Sequence, residues 1–240
     1  MTVRLCLWSG PRNLSTAMMR SFGARADTGV HDEPFYAAYL AATGTQHPMR
    51  EETLAASDPS PDAAATLCAG PAPGGEPIFY QKHIVHHLLP DFPRDWLGAC
   101  RHAMLIREPE RVLASYAAKR EAVTLHDIAA EEQTALFDEL TDRFGHPPPV
   151  IDSATILADP PAALVKLCAA FGIPYDDAML SWEPGPKPED GAWAPHWYNG
   201  VWKSSGFGNP PGPLPDLPPD FAALAREARP HYDRLAVHAL

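Results

Sequence analysis

The sequence has no long apolar run, few cysteines and no excess of positive charge. No stretch approaches the roughly 20 apolar residues of a membrane span, and Val3–Trp8 is too short for the apolar core of a signal peptide. Cys6, Cys68, Cys100 and Cys168 lie far apart and form no C-x-x-C pair. We therefore expect reduced, buried cysteines in a cytoplasmic chain, without a disulfide framework or a bound metal.

The charge balance limits the kind of partner. The formal net charge of −11 and the pI near 5.4 argue against a nucleic-acid binder and against an anionic-membrane binder. An anionic ligand must therefore be held by local positive residues. With 240 residues, 45% of them hydrophobic, the chain is expected to form a single domain over 1–240, with a Pro/Trp-rich loop region at about 181–219.

Short apolar segments alternate with helical patterns along the chain. The expected strands are Val3–Trp8, Thr28–His31, Ile78–Gln81, His102–Arg107 and Pro149–Asp152. The expected helices are Ser15–Ala24, Asp32–Ala42, Glu51–Ala56, Glu110–Lys119, Ile128–Phe144, Pro160–Phe171 and Asp220–Ala239. This alternation predicts an α/β fold in three layers, with a central, mostly parallel sheet and ligands at the carboxyl ends of its strands.

The first strand leads into a turn and a helix that together favour anion binding. Ser9-Gly10-Pro11 ends the strand, and Ser15-Thr16 begins the helix. Backbone N–H groups at a helix N-terminus attract phosphate or sulfate, and Arg12 adds a positive charge. The loop is not a Walker A motif because it lacks the G-K-[ST] ending, so Arg12 would replace the P-loop lysine. The alternative is an ordinary strand–turn–helix junction.

A second segment pairs an arginine with a hydroxyl group. Arg107 ends the strand His102–Arg107, and Ser115 lies eight residues later, about two turns into the next helix. An arginine and a hydroxyl suit a phosphate monoester. The alternative is a strand-end arginine that pairs with a helix carboxylate.

Together the two segments resemble the P-loop sulfotransferase family, whose members take a sulfuryl group from 3′-phosphoadenosine 5′-phosphosulfate (PAPS) and release PAP. The family's R-x-P-x-x-x-x-x-S segment is matched by Arg107 to Ser115, including the proline. In the family's P-x-S-G-T-T loop the match is Pro11-Arg12, while Asn13-Leu14-Ser15-Thr16 replaces the Ser-Gly-Thr-Thr.

The chain is more closely similar to a sulfotransferase-like group that is often mislabelled as branched-chain aminotransferase-like. The motifs that carry this similarity span residues 10–207: GPRNLSTAMMRSF, DEPFYAAYL, QKHIVHHL, LIREPERVLASY, AMLSWEPGPKPEDG and KSSGF. No lysine has a context that suggests a pyridoxal phosphate Schiff base, so the transaminase label is rejected.

The resemblance implies a nucleotide-binding site with two phosphate subsites. The 5′ side would be bound by Gly10, Pro11, Arg12, Asn13, Leu14, Ser15 and Thr16. The 3′-phosphate would be bound by Arg107 and Ser115, with help from Lys203, Ser204, Ser205 and Gly206. Trp197, Tyr198 and Trp202 would stack on adenine or line the acceptor pocket.

Sulfuryl transfer also needs cations near the leaving oxygen and a base for the acceptor. Arg12 and Lys82 are the candidate cations, although Lys82 could be a surface residue. Glu33 is the first candidate base, since some sugar-acting bacterial members have a similar Glu-Pro context; its alternative is a helix cap. His83 is the second candidate base. His83, His86 and His87 could alternatively hold a metal, although the reaction requires none.

The resulting hypothesis is a cytoplasmic transferase that moves a sulfuryl group from PAPS to a small hydroxyl or amine acceptor. The first rival is a small-molecule kinase, in which Asp152 would imitate a Walker B aspartate. The second rival is a non-catalytic domain that binds a nucleotide. No nucleic-acid or membrane partner is expected, and the sequence leaves a homodimer open.

Overall fold

A computed structural model describes residues 2–117 and 123–240 of the chain. Its strands are β1 (Val3–Ser9), β2 (Thr28–Asp32), β3 (Ile78–Ile84), β4 (Arg101–Ile106) and β5 (Val150–Asp152). They form one sheet in the order β2-β3-β1-β4-β5, with β2 parallel to β3 and β4 parallel to β5. Helices flank the parallel sheet, so the predicted α/β fold with a central parallel sheet is confirmed.

Eleven α-helices lie within the described ranges. They are α1 (Ser15–Gly23), α2 (Tyr36–Thr43), α3 (Arg50–Ala56), α4 (Pro61–Ala69), α5 (Pro109–Ala117), α6 (Leu125–Ile128), α7 (Ala130–Phe144), α8 (Ser153–Ala158), α9 (Pro160–Ala170), α10 (Ala194–Trp197) and α11 (Pro219–Ala236). The predicted helix Glu110–Lys119 corresponds to α5, and its predicted end at Lys119 lies outside the described residues.

The predicted helix Ile128–Phe144 was wrong at its start. Ala129 adopts a left-handed conformation (φ 57°), so α6 ends before it and α7 begins after it. Thr124 and Asp127 begin α6 with a capping box, in which each side chain accepts a hydrogen bond from the other residue's backbone N–H. A left-handed residue cannot continue an α-helix, which explains the break.

Two helices lie in segments for which no helix was predicted. Residues 61–69 form α4, because the Ser60 side chain accepts a hydrogen bond from the Ala63 N–H and Pro61 occupies the first turn. Inside the Pro/Trp-rich region, α10 forms a single turn. Local capping in α4 therefore outweighed a composition rich in proline, glycine and alanine.

The chain divides into two compact units, which are described separately. Unit 1 comprises the described residues within Met1–Leu7, Thr16–Arg101 and Asp176–Phe207. Unit 2 comprises those within Trp8–Ser15, His102–Tyr175 and Gly208–Leu240. The prediction of a single domain over the whole chain stays a prediction.

Unit 1 is built around the β2–β3 pair. All seven residues of β3 are buried, and register pairs Thr28 with Ile78 through Asp32 with Lys82. The Phe22 and Tyr80 rings stack with centroids 4.2 Å apart. This packing fixes the ends of β2 and β3, where acidic and basic side chains meet.

Unit 2 is organised around α11, which packs against α5 and α7. Its apolar cluster combines residues from α5, α6 and α11: Val112, Leu113, Ile128, Ala225 and Ala228. Burying one apolar face of each helix stabilises the unit and holds α5 in place after β4. The position of α5 matters because this helix carries Ser115.

The buried cysteines agree with the prediction. Cys6, Cys68, Cys100 and Cys168 are all buried and free, and burial raises the pKa of the Cys6 and Cys68 thiols. High thiol pKa values disfavour the reactive thiolate. In residues 2–117 and 123–240, no helix combines the length and apolar character needed to cross a membrane.

Candidate functional site

The loop between β1 and α1 has an uncommon backbone conformation. Arg12 and Leu14 both have positive φ angles, 64° and 76°. Such angles are uncommon for residues that carry a Cβ, and strain of this kind clusters at binding sites. The loop that was predicted to bind an anion, in unit 2, therefore contains two residues with left-handed backbone conformations.

Gly10 starts this loop at a point where the backbone passes very close to another segment. A Cβ added to Gly10 would lie 2.6 Å from the carbonyl oxygen of Ile128, which is closer than Cβ atoms are normally found. Glycine is thus required at position 10, because there is no room for a side chain.

Replacing Gly10 with alanine is expected to lower the free energy of unfolding by about 1–3 kcal/mol, the usual cost of overpacking. Chemical denaturation measures the change. Gly98→Ala is the matched control, because a Cβ there meets no atom within 4 Å. Equal stability of the two variants would contradict the close approach.

Two arginines and a serine meet beside the loop in unit 2. Arg12 Nε donates a hydrogen bond to Ser115 Oγ at 3.1 Å, and Arg107 Nη1 donates to the Arg12 carbonyl at 2.7 Å. Arg107 directly follows β4, and Ser115 lies on α5. The structure therefore brings together three residues that were predicted to bind phosphate; we call them the arginine cluster.

The arginine cluster is positively charged and partly buried. Burial lowers the pKa of Arg12 and Arg107, and the nearby Arg111 and Arg12 charges lower that of Arg107 further, while the charges of Asp152 and Glu108 oppose this shift. Within the described part of the chain, neither Arg12 nor Arg107 forms an ion pair; it is Arg111 that pairs with Glu108, at 2.5 Å. Two such arginines favour a bound anion over the alternative of a structural ion pair.

Asn13 leaves a buried acceptor in the same loop. Its Nδ2 donates to the Leu105 carbonyl at 3.2 Å, while its Oδ1 is buried without a hydrogen-bond partner in the described structure. Asn13 and Arg107 line a cavity of about 30 Å³ together with His231 and Tyr232. This volume is enough for a water molecule that could satisfy Oδ1.

In unit 1, Lys82 is a buried residue inside a strand. The sequence predicted it at the strand end and left a surface position open; both were wrong, because β3 continues to Ile84 and Lys82 is 1% exposed. The strand extends because Lys82 still pairs in register with Asp32 of β2.

Lys82 is held by three oxygen atoms. Its Nζ donates to Asp32 Oδ1 at 2.8 Å, to the Tyr198 hydroxyl at 2.6 Å and to the Glu33 carboxylate. Burial alone would lower the pKa of Lys82, but Asp32 and Glu33 reverse this, and the pKa lies well above its ordinary value. Lys82, Asp32, Glu33 and Tyr198 are named the lysine cluster.

Glu33 occupies a strained turn after β2. Its φ is 46°, its N–H donates to the Lys82 carbonyl at 2.9 Å, and its own carbonyl accepts from the Tyr36 N–H at 3.0 Å. The predicted helix start at Asp32 was wrong, since α2 begins at Tyr36. Its N-cap is Phe35, without a side-chain cap, so Glu33 does not cap the helix.

The surroundings of Glu33 make it a weaker acid than an ordinary glutamate. Burial raises its pKa, Lys82 lowers it and Asp32 raises it, with a result of about 7. His87 Nδ1 lies 3.5 Å from Glu33 Oε2, but burial and neighbouring histidines hold the pKa of His87 well below its usual range. A carboxylate that titrates near neutrality is suited to general-base catalysis.

The structure does not bring His83 to the lysine cluster. Successive strand residues face opposite sides, so His83 points away from the Lys82 side, and its Nε2 lies 3.2 Å from Gln81 Oε1. His86 and His87 lie in a 3-10 turn beyond β3, so the three histidines do not share a helix face. Among the described residues, no group of three His, Cys, Asp or Glu side chains is placed to hold a metal ion.

The segment Lys203–Gly206 is anchored within unit 1. Ser204 Oγ accepts a hydrogen bond from Trp182 Nε1 at 3.2 Å, the Ser205 carbonyl accepts from the Trp182 N–H at 3.0 Å, and Gly206 forms a bridge with Ser181. Lys203 is exposed. Its predicted contact with a 3′-phosphate stays a prediction.

Asp32 and Tyr198 were missed as members of the site. Asp32 was interpreted as part of a helix N-terminus, and Tyr198 as an adenine-stacking or pocket-lining residue. Instead Tyr198 is 5% exposed, and its hydroxyl is hydrogen-bonded inside the protein. The available signal for Asp32 was its place directly before Glu33, at the end of the predicted strand Thr28–His31. Tyr198 had no such signal, because its partners are distant in sequence.

A comparison of the chain with models of protein families identifies its family. A model described as a sulfotransferase domain matches residues 3–239. The chain belongs to the sulfotransferase-domain family. The resemblance found in its motifs is therefore confirmed, and a sulfotransferase-type transferase function is supported.

Two curated relatives of this sulfotransferase-domain chain come from Arabidopsis thaliana. Branched-chain-amino-acid aminotransferase-like proteins 2 and 1 are each 36% identical to it, over 232 and 231 residues. The alignments cover 96% of this chain, which spans only 41% of the length of either relative. Their names agree with the mislabelling noted from the sequence, and the activities of the whole proteins are not transferred to this chain.

A solved structure supports the fold assignment. The crystal structure of a sulfotransferase from Alicyclobacillus acidocaldarius aligns with 99% of this chain and 95% of its own, with a TM-score of 0.58. The identity is 14%, so this similarity concerns the sulfotransferase fold alone.

Asp152, the candidate metal ligand of the kinase alternative, is hydrogen-bonded to other residues of the protein. Asp152 Oδ1 accepts a hydrogen bond from the Ala154 N–H at 2.7 Å as the N-cap of α8, and Oδ2 accepts from the Tyr232 hydroxyl at 2.5 Å. Both carboxylate oxygens of Asp152 therefore have structural partners in this sulfotransferase-domain chain.

Proposed function

We propose that the protein transfers a sulfuryl group from PAPS to a hydroxyl or amine group of a small acceptor. The observation that carries the proposal is the arginine cluster, in which Arg12, Arg107 and Ser115 converge and neither arginine forms a direct ion pair among the described residues. Membership of the sulfotransferase-domain family supports the type of reaction.

Arg107 and Ser115 would bind the 3′-phosphate of the donor. A guanidinium and a hydroxyl can each donate to phosphate oxygens, and the family resemblance assigns this role to the same R-x-P-x-x-x-x-x-S spacing. Gly10 to Thr16 would bind the 5′ side with backbone N–H groups at the start of α1.

The lysine cluster would supply the acid–base chemistry. PAPS, when bound, provides an activated sulfur–oxygen bond. Glu33 would accept the proton from the acceptor at a carboxylate oxygen, because its pKa of about 7 allows it to be ionised near neutral pH. Lys82 Nζ would stabilise the charge on oxygen atoms of the transferring group.

Calorimetric titration with PAP, ATP and ADP tests the donor assignment. Wild type should bind PAP, and Arg107→Ala should weaken PAP binding by about 2–4 kcal/mol, or roughly 30- to 1,000-fold, because a charge-assisted phosphate contact is lost. Arg143→Ala is the control, since it changes the net charge equally on the partly exposed α7.

The outcomes separate the candidate functions. Absence of PAP binding by wild type would remove the proposed donor, and magnesium-dependent ATP binding instead would favour a kinase. An unchanged PAP affinity in Arg107→Ala would exclude Arg107 from the site. PAP binding without turnover on any acceptor would indicate a non-catalytic nucleotide-binding domain.

A further inference from the structure

The Lys82 ammonium group uses all of its hydrogen-bonding capacity. An ammonium has three N–H donors, and the described structure supplies three acceptors: Asp32 Oδ1, the Tyr198 hydroxyl and the Glu33 carboxylate. The side chains of Lys82 and Asp32 are 2% and 1% exposed, while that of Glu33 is 9% exposed. The direction of the ammonium group is therefore set by protein atoms.

Tyr198 completes a closed set of bonds with Lys82 and Asp32. Its hydroxyl accepts from Lys82 Nζ at 2.6 Å and from Trp193 Nε1 at 3.1 Å, and it donates to Asp32 Oδ2 at 2.6 Å. Asp32 Oδ2 also accepts from the Gly191 N–H at 3.2 Å. Each side of the Lys82–Asp32–Tyr198 triangle is thus a hydrogen bond.

We propose that Tyr198 is a positioning residue: with Asp32 it fixes two N–H bonds of Lys82 and thereby directs the third toward Glu33. The catalytic meaning of this arrangement rests on the proposed function. Tyr198 carries no charge and would act through Lys82, so it can be removed without altering the charge of the cluster.

The triangle would link proton uptake to charge stabilisation. Glu33 is faced by Lys82 from β3, by Asp32 from β2 and by His87 from the 3-10 turn. As the acceptor O–H bond breaks, its proton would form a new O–H bond on Glu33. The acceptor oxygen would bond to sulfur while the electron pair of the sulfur–oxygen bond leaves with the donor phosphate.

Protonation of Glu33 would also release one donor of Lys82. The neutral acid no longer attracts the third N–H as a charged partner, while Asp32 and Tyr198 still hold the other two. That N–H would then be available to an oxygen of the transferring group. Without Tyr198, the ammonium could rotate and lose this orientation.

Nitrogen-15 NMR of the lysine side chains tests the positioning directly. The sequence has five lysines, at positions 82, 119, 166, 187 and 203, so few signals compete. Wild type labelled with ¹⁵N-lysine should show a protected Lys82 ammonium signal. Tyr198→Phe should speed its hydrogen exchange by about tenfold to a hundredfold, the effect of losing one hydrogen bond to a charged group.

Trp193→Phe is the matched control. It removes the other donor to the Tyr198 hydroxyl but leaves the Lys82–Tyr198 bond intact. Exchange at Lys82 should therefore stay close to the wild-type rate. Equal exchange rates in Tyr198→Phe and Trp193→Phe would overturn the proposal. If Tyr198→Phe does not fold, Asp32→Asn removes another side of the triangle and should also accelerate the exchange; an unchanged signal there would overturn it too.

Kinetics distinguish positioning from a purely structural role. In Tyr198→Phe we expect kcat per folded molecule to fall by about tenfold to a hundredfold, with a nearly unchanged KM and an acid limb moved to higher pH, because a weaker hydrogen bond from Lys82 lowers the pKa of Glu33 less. An unchanged kcat would overturn the catalytic consequence. The NMR result requires no substrate, so failure of the PAP titration would refute the proposed function and leave the test of Tyr198 decisive.

Discussion

Glu33→Gln is expected to lower the rate of sulfuryl transfer by about 10²- to 10⁴-fold, the usual contribution of a general base. Glutamine has nearly the same shape and can still accept a hydrogen bond from Lys82, but it cannot take a proton from the acceptor. The rate is measured as PAP release from PAPS in the presence of a panel of hydroxyl- and amine-bearing acceptors.

The control for this variant is Glu189→Gln, which makes the same chemical change at an exposed glutamate of unit 1. It should keep nearly the full rate. A Glu33→Gln protein that retains the wild-type rate would show that another group accepts the proton. His83, the second candidate from the sequence, would then require a separate test.

The pH dependence of the wild type should identify Glu33 as the titrating group. Its pKa of about 7 predicts that kcat/KM rises with pH through a limb near 7, because only the carboxylate can accept a proton. His87 is neutral in this range, since its pKa lies far below its usual value. Glu33→Gln should remove the limb, and a limb that persists would assign it to another residue.

The same shift has a defined sign for stability. The folded-state pKa of Glu33 lies above the ordinary value of 4.5, so its contribution is fully present below about 4.5 and is lost as the pH rises through about 7. In the wild type, this contribution makes the free energy of unfolding fall as the pH rises from about 4.5 to about 7. In Glu33→Gln the fall over the same pH range should be smaller.

Lys82→Met is expected to lower the free energy of unfolding by about 3–5 kcal/mol, the typical cost of removing one partner from a buried ion pair. The change leaves Asp32 as a buried carboxylate whose remaining donors are the Tyr198 hydroxyl and the Gly191 N–H. Urea denaturation of the two proteins measures the difference.

Two further variants isolate the cause of that loss. Lys166→Met changes an exposed lysine of α9 and should alter stability by less than about 0.5 kcal/mol. Adding Asp32→Asn to Lys82→Met should recover part of the stability, because the unpaired charge disappears. If Lys82→Met is no more destabilising than Lys166→Met, the buried ion pair does not exist in solution.

Local patterns predicted most of the elements and the phosphate-binding candidates. The spacing of Arg107 and Ser115 placed them on a strand end and the following helix, and the structure brings both beside Arg12. Such predictions work because a strand, a tight turn and a helix are determined largely by nearby residues.

Interactions between distant residues were not predictable in the same way. Glu33 and Lys82 were each proposed, but their ion pair depends on the alignment of β2 with β3. The hydrogen bond between Tyr198 and Asp32 joins residues 166 positions apart, and no periodicity records it. Alanine at position 129 likewise carries no signal for the left-handed conformation that separates α6 from α7.

The separation of Asp32 and Tyr198 in sequence also affects how the protein emerges from the ribosome. Asp32, Glu33 and Lys82 are all synthesised long before Tyr198. A nascent chain that ends before Tyr198 has two carboxylates and one ammonium without the hydroxyl that links them, so water must solvate these groups until Tyr198 is made. Translation therefore completes the lysine cluster only after the β2 and β3 segments have been released from the exit tunnel.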